Sequence, residues 1–377
     1  MVAESTEPTG GPDPTELHRS SRDLDEVRAA LLPAVAAHLP EGTNHAIGEL
    51  RGTSATGMSS ETLLFDVTWH QAGDTRTEGL VARVAPDLAD VPVFPNYDLP
   101  GQYRTIERVA AHSDVPVPVL WWCEPDAGVI GSPYFVMGRI DGEVPPDVMP
   151  YNFGDSWLFH ASPEQQAHLQ ETSIDVLARL HAIGDPHARF AHLGGRFPGD
   201  TALRRHVAGR QEWYQFAANE CGRSSLVEKG FAWLEEHWPA HESDAVFNWG
   251  DSRIGNVLYR EFEPAGVLDW EMAAIGPPEL DLAWMVYAHR MFEDMAVEFG
   301  FAGMPGFLRP DDAATTYERL AGRVPRDLDW YLTYSCLQLA IVFLRTGQRQ
   351  VHFGERAVPE NADELLMNGA TLAALTH

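Results

Sequence analysis

Alternation of apolar and polar residues predicts a strand-rich first half of the chain. Residues 62–69 alternate in this way after a cluster of Gly and Ser residues, and residues 71–74 suit a hairpin turn. The same reasoning predicts further strands over 79–84, 117–123 and 133–140 and one helix over 99–112. Strands around a single helix are typical of a small antiparallel α+β unit.

Helical spacing of apolar residues dominates after Gly142, beyond a proline-rich connector that runs to Pro150. Only short strands are expected here, near 244–248, 256–260 and 265–269. Long helices are predicted over 163–184, 199–219, 223–238, 278–293, 328–348 and 359–375. We therefore predict an α+β chain with a sheet lobe over 23–140 and a larger helical lobe over 141–377.

The first 22 residues are rich in Ser, Thr, Pro, Gly and Glu, which predicts a disordered tail over 1–22. Order is expected from Asp23, a helix-capping residue followed by apolar residues at helical spacing. This tail lacks the apolar stretch of a signal peptide, and nowhere do ~18 apolar residues run together, so no membrane-spanning helix is expected.

Charge and cysteine usage narrow the function further. The 377 residues include 27 Lys and Arg and 55 Asp and Glu, so the net charge is 27 − 55 = −28. This balance argues against nucleic acid or an anionic membrane as a partner; it fits a cationic substrate, although a solvated acidic surface is the favoured interpretation. Three cysteines far apart, without a CxxC pair, suggest a reducing cytoplasm and leave the oligomeric state open.

The segment 247–259 carries the most informative chemistry. An apolar strand leads into a polar loop that holds Asp251 and Asn256, and a second apolar strand leaves it. Asp269, thirteen residues after Asn256, again ends an apolar strand. A hairpin of these two strands would place Asn256 and Asp269 side by side.

Converging carboxylate and amide oxygens suit a hard cation such as Mg²⁺. If Asn256 and Asp269 hold the metal, Asp251 remains to orient a substrate hydroxyl and to accept its proton. An Asp and an Asn five residues apart are common by chance, but the additional Asp after a strand makes the set much more specific.

This pattern resembles the catalytic loop of aminoglycoside phosphotransferases and choline-kinase-like enzymes, relatives of the eukaryotic protein kinases. The strongest likeness is to a group that includes domains associated with acyl-CoA dehydrogenases. Its motifs stand here as Gly-Asp-Ser-Arg-Ile-Gly-Asn over 250–256, Leu-Asp-Trp-Glu over 268–271 and Asp-Leu-Ala over 281–283. The resemblance implies a two-lobed protein-kinase-like fold and transfer of the γ-phosphoryl group of ATP, or GTP, to a small-molecule hydroxyl with Mg²⁺.

The resemblance also assigns residues outside the catalytic loop. The loop over 57–62 resembles the family's phosphate-covering loop, and the segment over 134–142 resembles the hinge, whose backbone would bind adenine. The residues implied to bind nucleotide are Ser59, Ser60, Arg83, Gly138 (through its C=O) and Ile140 (through its N–H), and those implied to support the site are Arg253 and Asp281.

Three departures from the family pattern bear on activity. Arg83 stands where protein kinases carry Lys, Gln102 where its acidic partner is usual, and Trp249 where His precedes Gly-Asp. Gln102 and Trp249 motivate the alternative of a nucleotide-binding regulatory protein without turnover. The acceptor stays open among aminoglycosides, choline-type alcohols, amino-sugar or amino-acid hydroxyls and hydroxyacyl compounds.

Other motifs receive less support. Gly250-Asp251-Ser252 matches an esterase nucleophile motif, but no later Asp-x-x-His supplies the base. His237 and His241 have the spacing of a zinc pair, but Pro239 lies between them. Aromatic residues of the helical half are expected in the core, with one or two lining a substrate pocket as the less favoured alternative. The acidic residues near the C-terminus are expected to complement a helix N-terminus, with binding of amino groups as the alternative; they are Glu355, Glu360, Asp363 and Glu364.

Overall fold

The computed structural model describes residues 22–39, 42–52, 60–87, 91–147 and 150–377. The predicted tail over 1–22 therefore lies outside the described residues, apart from Arg22. The Arg22 guanidinium donates hydrogen bonds to the Ala85 carbonyl and to Ser132 Oγ.

The strands form one large sheet and two small ones. Six strands make an antiparallel sheet in the order β1-β3-β4-β6-β5, with β2 paired to β3, and the small sheets pair β7 with β10 and β8 with β9. The bounds are β1 (Thr43–Ile47), β2 (Arg51–Gly52), β3 (Glu61–Gln71), β4 (Asp74–Val84), β5 (Leu120–Glu124), β6 (Tyr134–Gly138), β7 (Val246–Asn248), β8 (Val257–Arg260), β9 (Glu263–Val267) and β10 (Ala274–Gly276).

Two helices accompany the large sheet, and the other helices follow it in the chain. The bounds are α1 (Leu24–His38), α2 (Leu99–His112), α3 (Pro163–His181), α4 (Pro186–Arg189), α5 (Ala202–Cys221), α6 (Ser225–Glu236), α7 (Glu279–Glu298), α8 (Pro310–Ala321), α9 (Leu328–His352) and α10 (Gly369–Leu375). None of the helices in the described ranges is long and apolar enough to cross a membrane.

The predicted fold class is confirmed: an N-terminal antiparallel sheet lobe precedes a larger helical lobe. Helix α2 has the predicted bounds, because the Asp98 side chain caps its N-terminus and Leu99, Ile106 and Val109 form its buried face. Helix α1 begins at the predicted cap, where Asp23 accepts hydrogen bonds from two backbone N–H groups.

One helix prediction was wrong, and helices α4 and α8 were not predicted. The expected helix over 359–375 is a short 3₁₀ turn, Ala362–Leu365, followed by α10. The extended backbone of Leu366 (φ −82°, ψ 103°) interrupts the helix between the two, and the buried Asn368 side chain donates to the Cys336 carbonyl at 2.8 Å where α10 begins. Helix α8 was not predicted, although Pro310 and two acidic residues stand in its first turn.

Arg345 of α9 fastens the segment before α2 to the helical lobe. Its side chain is fully buried, and Nε and Nη2 donate to the Pro92 carbonyl at 2.9 and 2.7 Å. Nη1 donates to Glu220 at 2.6 Å, and the guanidinium lies 4.4 Å from the centre of the Phe216 ring. A buried charge with this set of partners holds three parts of the chain together.

We expect Arg345→Met to lower the free energy of unfolding by about 2–4 kcal/mol, because it leaves the Pro92 carbonyl buried without its donor. Arg319→Met is the matched control: its exposed pair with Glu171 should contribute less than about 1 kcal/mol. Chemical denaturation measures both variants, and equal effects would contradict the role assigned to Arg345.

Candidate active site

A cleft of about 420 Å³ lies between the large sheet and the helical lobe. Its apolar walls come from both lobes, with Val81 and Ile106 on one side and Leu258 and Val267 on the other. The residues predicted from sequence that line this cleft are Arg83, Gly138, Ile140, Asn256 and Asp269.

A hairpin brings the two predicted metal ligands together at one end of the cleft. Strands β8 and β9 pair with Val257 opposite Val267, and the Leu268 N–H donates to the Asn256 carbonyl at 2.9 Å. Asp269 follows directly, with a left-handed backbone (φ +57°) that Asp tolerates better than most residues.

The carboxylate of Asp251 is held by donors on three residues. Asn256 Nδ2 donates to its Oδ2 at 2.7 Å, and Trp284 Nε1 of α7 donates to its Oδ1 at 2.7 Å. Arg253 Nε lies 3.2 Å from both oxygens. Only 9% of Asp251 is exposed, so these donors fix the direction in which the carboxylate faces.

Arg253 forms ion pairs both with Asp251 and with the proline-rich segment that joins the two lobes. Its Nη1 pairs with Asp147, which lies in the proline-rich segment. Burial would lower the pKa of the Arg253 guanidinium, but Asp147 and Asp251 outweigh it and raise that pKa above its ordinary value. The implied supporting residue thus carries a permanent charge between two carboxylates.

Asp281, in the first turn of α7, holds the start of the loop over 249–256, which is predicted to be catalytic and is called the catalytic loop below. Its two fully buried oxygens accept hydrogen bonds from the backbone N–H groups of Trp249 (2.7 Å) and Gly250 (2.8 Å). His181 Nε2 lies 3.2 Å from Oδ2, and the Asp281 carbonyl accepts from Ser252 Oγ at 2.8 Å. These contacts fit the bracing role that the family resemblance implies.

The turn at Gly250 requires glycine. Its φ is +93°, and a Cβ there would lie 2.1 Å from the Met272 carbonyl oxygen. The catalytic loop and the segment after Asp269 therefore touch at a point that no larger residue can occupy.

Trp249 links the same two segments through its side chain. The buried indole Nε1 donates to the Leu268 carbonyl at 2.8 Å and lies 3.2 Å from the Asp269 carbonyl. The departure from the family's His thus places a neutral donor against the backbone that carries Asp269.

Arg83 of β4 joins the two lobes at the base of the cleft. It donates to Thr62 at 3.0 Å and to Asp269 Oδ1 at 3.1 Å, and lies 3.8 Å from Glu271. Burial opposes its charge, but the two carboxylates outweigh burial and raise the pKa of Arg83 above its ordinary value. Gln102 lines the same cleft.

The predicted phosphate-covering loop is only partly described. Ser60 is buried, and its Oγ donates to Glu271 Oε2 at 3.2 Å. Ser59 lies in the range 53–59, outside the described residues.

Some contacts at the site had no clear signal in the sequence. Asp147 lies in a connector, and its pairing with Arg253 spans 106 positions. Trp284 follows the Asp-Leu-Ala motif directly, so its place on α7 near Asp281 was a usable signal. Glu271 belongs to a recognised motif but was not assigned a role.

The implied Mg²⁺ site has two candidate ligands, Asn256 and Asp269. In the ranges that the structure describes, no group of three or more His, Cys, Asp or Glu side chains could hold a metal ion, which also gives no support to a zinc site at His237 and His241. Asn256 and Asp269 offer one amide oxygen and one carboxylate, and the amide nitrogen is engaged by Asp251, which directs the Asn256 oxygen away from it. Two oxygen ligands suit Mg²⁺, which keeps water and phosphate oxygens in its remaining positions.

Solved structures share this fold. A protein from Ralstonia eutropha JMP134 assigned as an aminoglycoside phosphotransferase aligns over 92% of this chain and 96% of its own, with a TM-score of 0.64 and 21% identity. The macrolide 2'-phosphotransferase MphH from Brachybacterium faecium aligns over 89% and 97%, with a TM-score of 0.52 and 20% identity. A thermostable mutant of the aminoglycoside phosphotransferase APH(4)-Ia, solved with AMP-PNP and hygromycin B, aligns over 93% and 97%, with a TM-score of 0.54 and 16% identity.

The fold is therefore that of the kinase-like small-molecule phosphotransferases, as predicted. The family profile described as "Phosphotransferase enzyme family" matches residues 68–327, and the chain belongs to this family. The predicted enzyme class, a phosphotransferase, is confirmed by this match.

Curated relatives are longer proteins. Acyl-CoA dehydrogenase family member 11 of Homo sapiens is 28% identical over 171 residues, which are 45% of this chain and 20% of that protein. Family member 10 of Mus musculus is 28% identical over 200 residues, 52% of this chain and 17% of that protein. The chain spans about a fifth of the length of these relatives.

We expect Trp249→Phe to lower the free energy of unfolding by about 1–3 kcal/mol, because the carbonyls of Leu268 and Asp269 lose their indole donor and the smaller phenyl ring fills less of the buried space. Chemical denaturation checks this against Trp233→Phe, a half-buried Trp on α6 that stacks on His237 outside the site. If Trp249→Phe lowers the free energy of unfolding by no more than Trp233→Phe does, the Trp249 indole does not stabilise the site.

Proposed function

We propose that this chain transfers the γ-phosphoryl group of ATP to a hydroxyl of a small molecule in the cleft between its lobes. The observation that carries the proposal is the joined set of Asp251, Asn256 and Asp269: Asn256 donates to the Asp251 carboxylate, and the hairpin pairs its backbone with Leu268.

Cytoplasm remains the proposed location, since the three cysteines are free thiols in the part of the chain described.

The nucleotide base would lie against the apolar part of the cleft. The apolar contacts would come from the side chains of Val81, Ile106 and Leu258. Gly138 and Ile140 line the same cavity. Adenine and guanine differ in the polar groups that they would present to Gly138 and Ile140. ATP is the proposed nucleotide.

Arg83 would neutralise nucleotide phosphates. Its guanidinium now pairs with Asp269, so the arrival of a triphosphate offers it an alternative anionic partner of higher charge. Asn256 and Asp269 would hold Mg²⁺, which when bound offsets the charge of the phosphate oxygens.

Asp251 would align the acceptor hydroxyl and accept its proton. The hydroxyl oxygen would form a bond to the γ-phosphorus while the bond from that phosphorus to the β–γ bridging oxygen breaks, and ADP would leave with that electron pair. Trp284, Arg253 and Asn256 fix the carboxylate for this step, so positioning is prepared before the substrates arrive.

We expect Asp251→Asn to lower kcat by two or more orders of magnitude, because the amide cannot accept the proton, while nucleotide affinity changes by less than about threefold. The assays are ATP consumption over an acceptor panel and calorimetric titration with ATP. Unchanged turnover on a true acceptor would exclude Asp251 as the base, and nucleotide binding without consumption across the panel would favour the regulatory alternative.

We expect Asp269→Asn to weaken the Mg²⁺-dependence of nucleotide binding, because one ligand loses its charge. Calorimetric titration of AMP-PNP with Mg²⁺ and with EDTA should show a metal-dependent gain in affinity of about tenfold or more for the wild type and a much smaller gain for the variant. Asp66→Asn, on the sheet surface beside Arg139, is the control and should keep the full gain. An equal gain in all three proteins would exclude Asp269 as a metal ligand.

A further inference from the structure

A second cavity lies beside the nucleotide cleft. It has a volume of about 420 Å³ and is bounded by the first turns of α5, the loop over 193–197 and the segment 271–275 that follows Asp269. We refer to it as the α5 pocket.

The α5 pocket adjoins the catalytic loop. Met272 lines it, and the carbonyl of Met272 lies against Gly250, the residue before Asp251. Glu271 also lines it and reaches the nucleotide cleft through Ser60 and Arg83. A ligand in this pocket would therefore lie next to the proposed site of phosphoryl transfer.

The pocket is basic in a chain whose net charge is −28. Arg196, Arg205 and Arg210 line it, and the one carboxylate in its lining is Glu271. Arg196 is paired with Glu212 at 3.2 Å, whereas Arg205 and Arg210 form no ion pair with any residue of the described ranges.

Arg210 is held in place by neutral groups. Its Nε donates to Gln338 at 2.8 Å, its Nη2 lies 3.3 Å from His206 Nε2, and its guanidinium lies 5.5 Å from the centre of the Trp213 ring. Burial lowers the pKa of Arg210, which is the cost of keeping a charge there without a counter-ion.

His206 contributes orientation and no charge. Burial, followed by the neighbouring Arg210, holds its pKa well below the ordinary value. Its Nδ1 lies 2.8 Å from Tyr334 Oη, so neutral His206 can donate there and accept from Arg210 through Nε2. A positioned guanidinium without an ion pair, with the half-buried Arg205 nearby, is a recurrent arrangement for binding carboxylate or phosphate groups.

We propose that the α5 pocket binds an anionic group of the acceptor, a carboxylate or a phosphate, so that this enzyme phosphorylates a negatively charged hydroxy compound. The inference rests on the proposed function and gives it a substrate class. It differs from the cationic acceptor that the overall charge would fit, because the charge within the pocket has the opposite sign to the net charge of the chain.

Direct binding tests the pocket without requiring turnover. Glycerol 3-phosphate and gluconate are the anionic probes, and glycerol, choline and kanamycin are the neutral and cationic comparisons, each titrated calorimetrically into the 377-residue chain. We expect one or both anions to bind, the other three to bind at least about tenfold more weakly, and Arg205→Ala to weaken anion binding about tenfold or more.

Two further variants control this result. Arg205→Lys keeps the charge without the planar fork and should retain part of the affinity, and Arg319→Ala, an exposed Arg outside the pocket, should bind as the wild type does. If neither anion binds, or if both bind equally well to Arg205→Ala, the pocket assignment is overturned.

Turnover separates this inference from the proposed function. With an anionic acceptor that is consumed, Arg205→Ala should raise the acceptor KM about tenfold and leave kcat within about threefold. If the enzyme phosphorylates only neutral or cationic acceptors, and Arg205→Ala does not affect this activity, the inference about the pocket is overturned. The proposed phosphotransferase function would still stand. Anion binding lost in Arg205→Ala, with no ATP consumed by any acceptor, would support the pocket and count against the proposed function.

Discussion

The site depends on the buried carboxylate of Asp281. A charge enclosed by protein is tolerated only when hydrogen-bond donors surround it, and here two of the donors are the backbone N–H groups that begin the catalytic loop. The N-terminal position of Asp281 on α7 also favours its charge. Because a different loop conformation would leave this carboxylate without those donors, the loop has one stable path past α7.

Helix α7 then acts on the loop a second time. Trp284, three residues after Asp281, reaches the far side of the loop and donates to Asp251. Residues three apart on a helix share one face. The same face of α7 therefore holds both the backbone at the start of the loop, through Asp281, and the Asp251 carboxylate, through Trp284. The geometry of the proposed base is thus a property of one rigid helix.

Local chemistry made much of the architecture predictable. Helix α2 could be located from Asp98 and its apolar spacing, and the β8–β9 hairpin from two apolar runs that flank polar residues. Long-range contacts could not be predicted in this way. The pairing of Arg83 with Asp269 spans 186 positions, and neither residue carries a local signal of its partner. Asn368 shows the same limit, since its side chain bonds to the Cys336 carbonyl 32 positions away and nothing near it in the sequence marks this contact.

The indole of Trp249 has a consequence for the protein in acidic surroundings. A histidine, which the family resemblance implies at this place, gains a proton near pH 6–7, whereas an indole N–H neither gains nor loses one in that range. The bond from Trp249 to the Leu268 carbonyl is therefore the same at every physiological proton concentration. Mild acidification therefore leaves the hydrogen bond between the Trp249 loop and the end of the β8–β9 hairpin unchanged. If the protein loses stability in acid, other groups must be the cause.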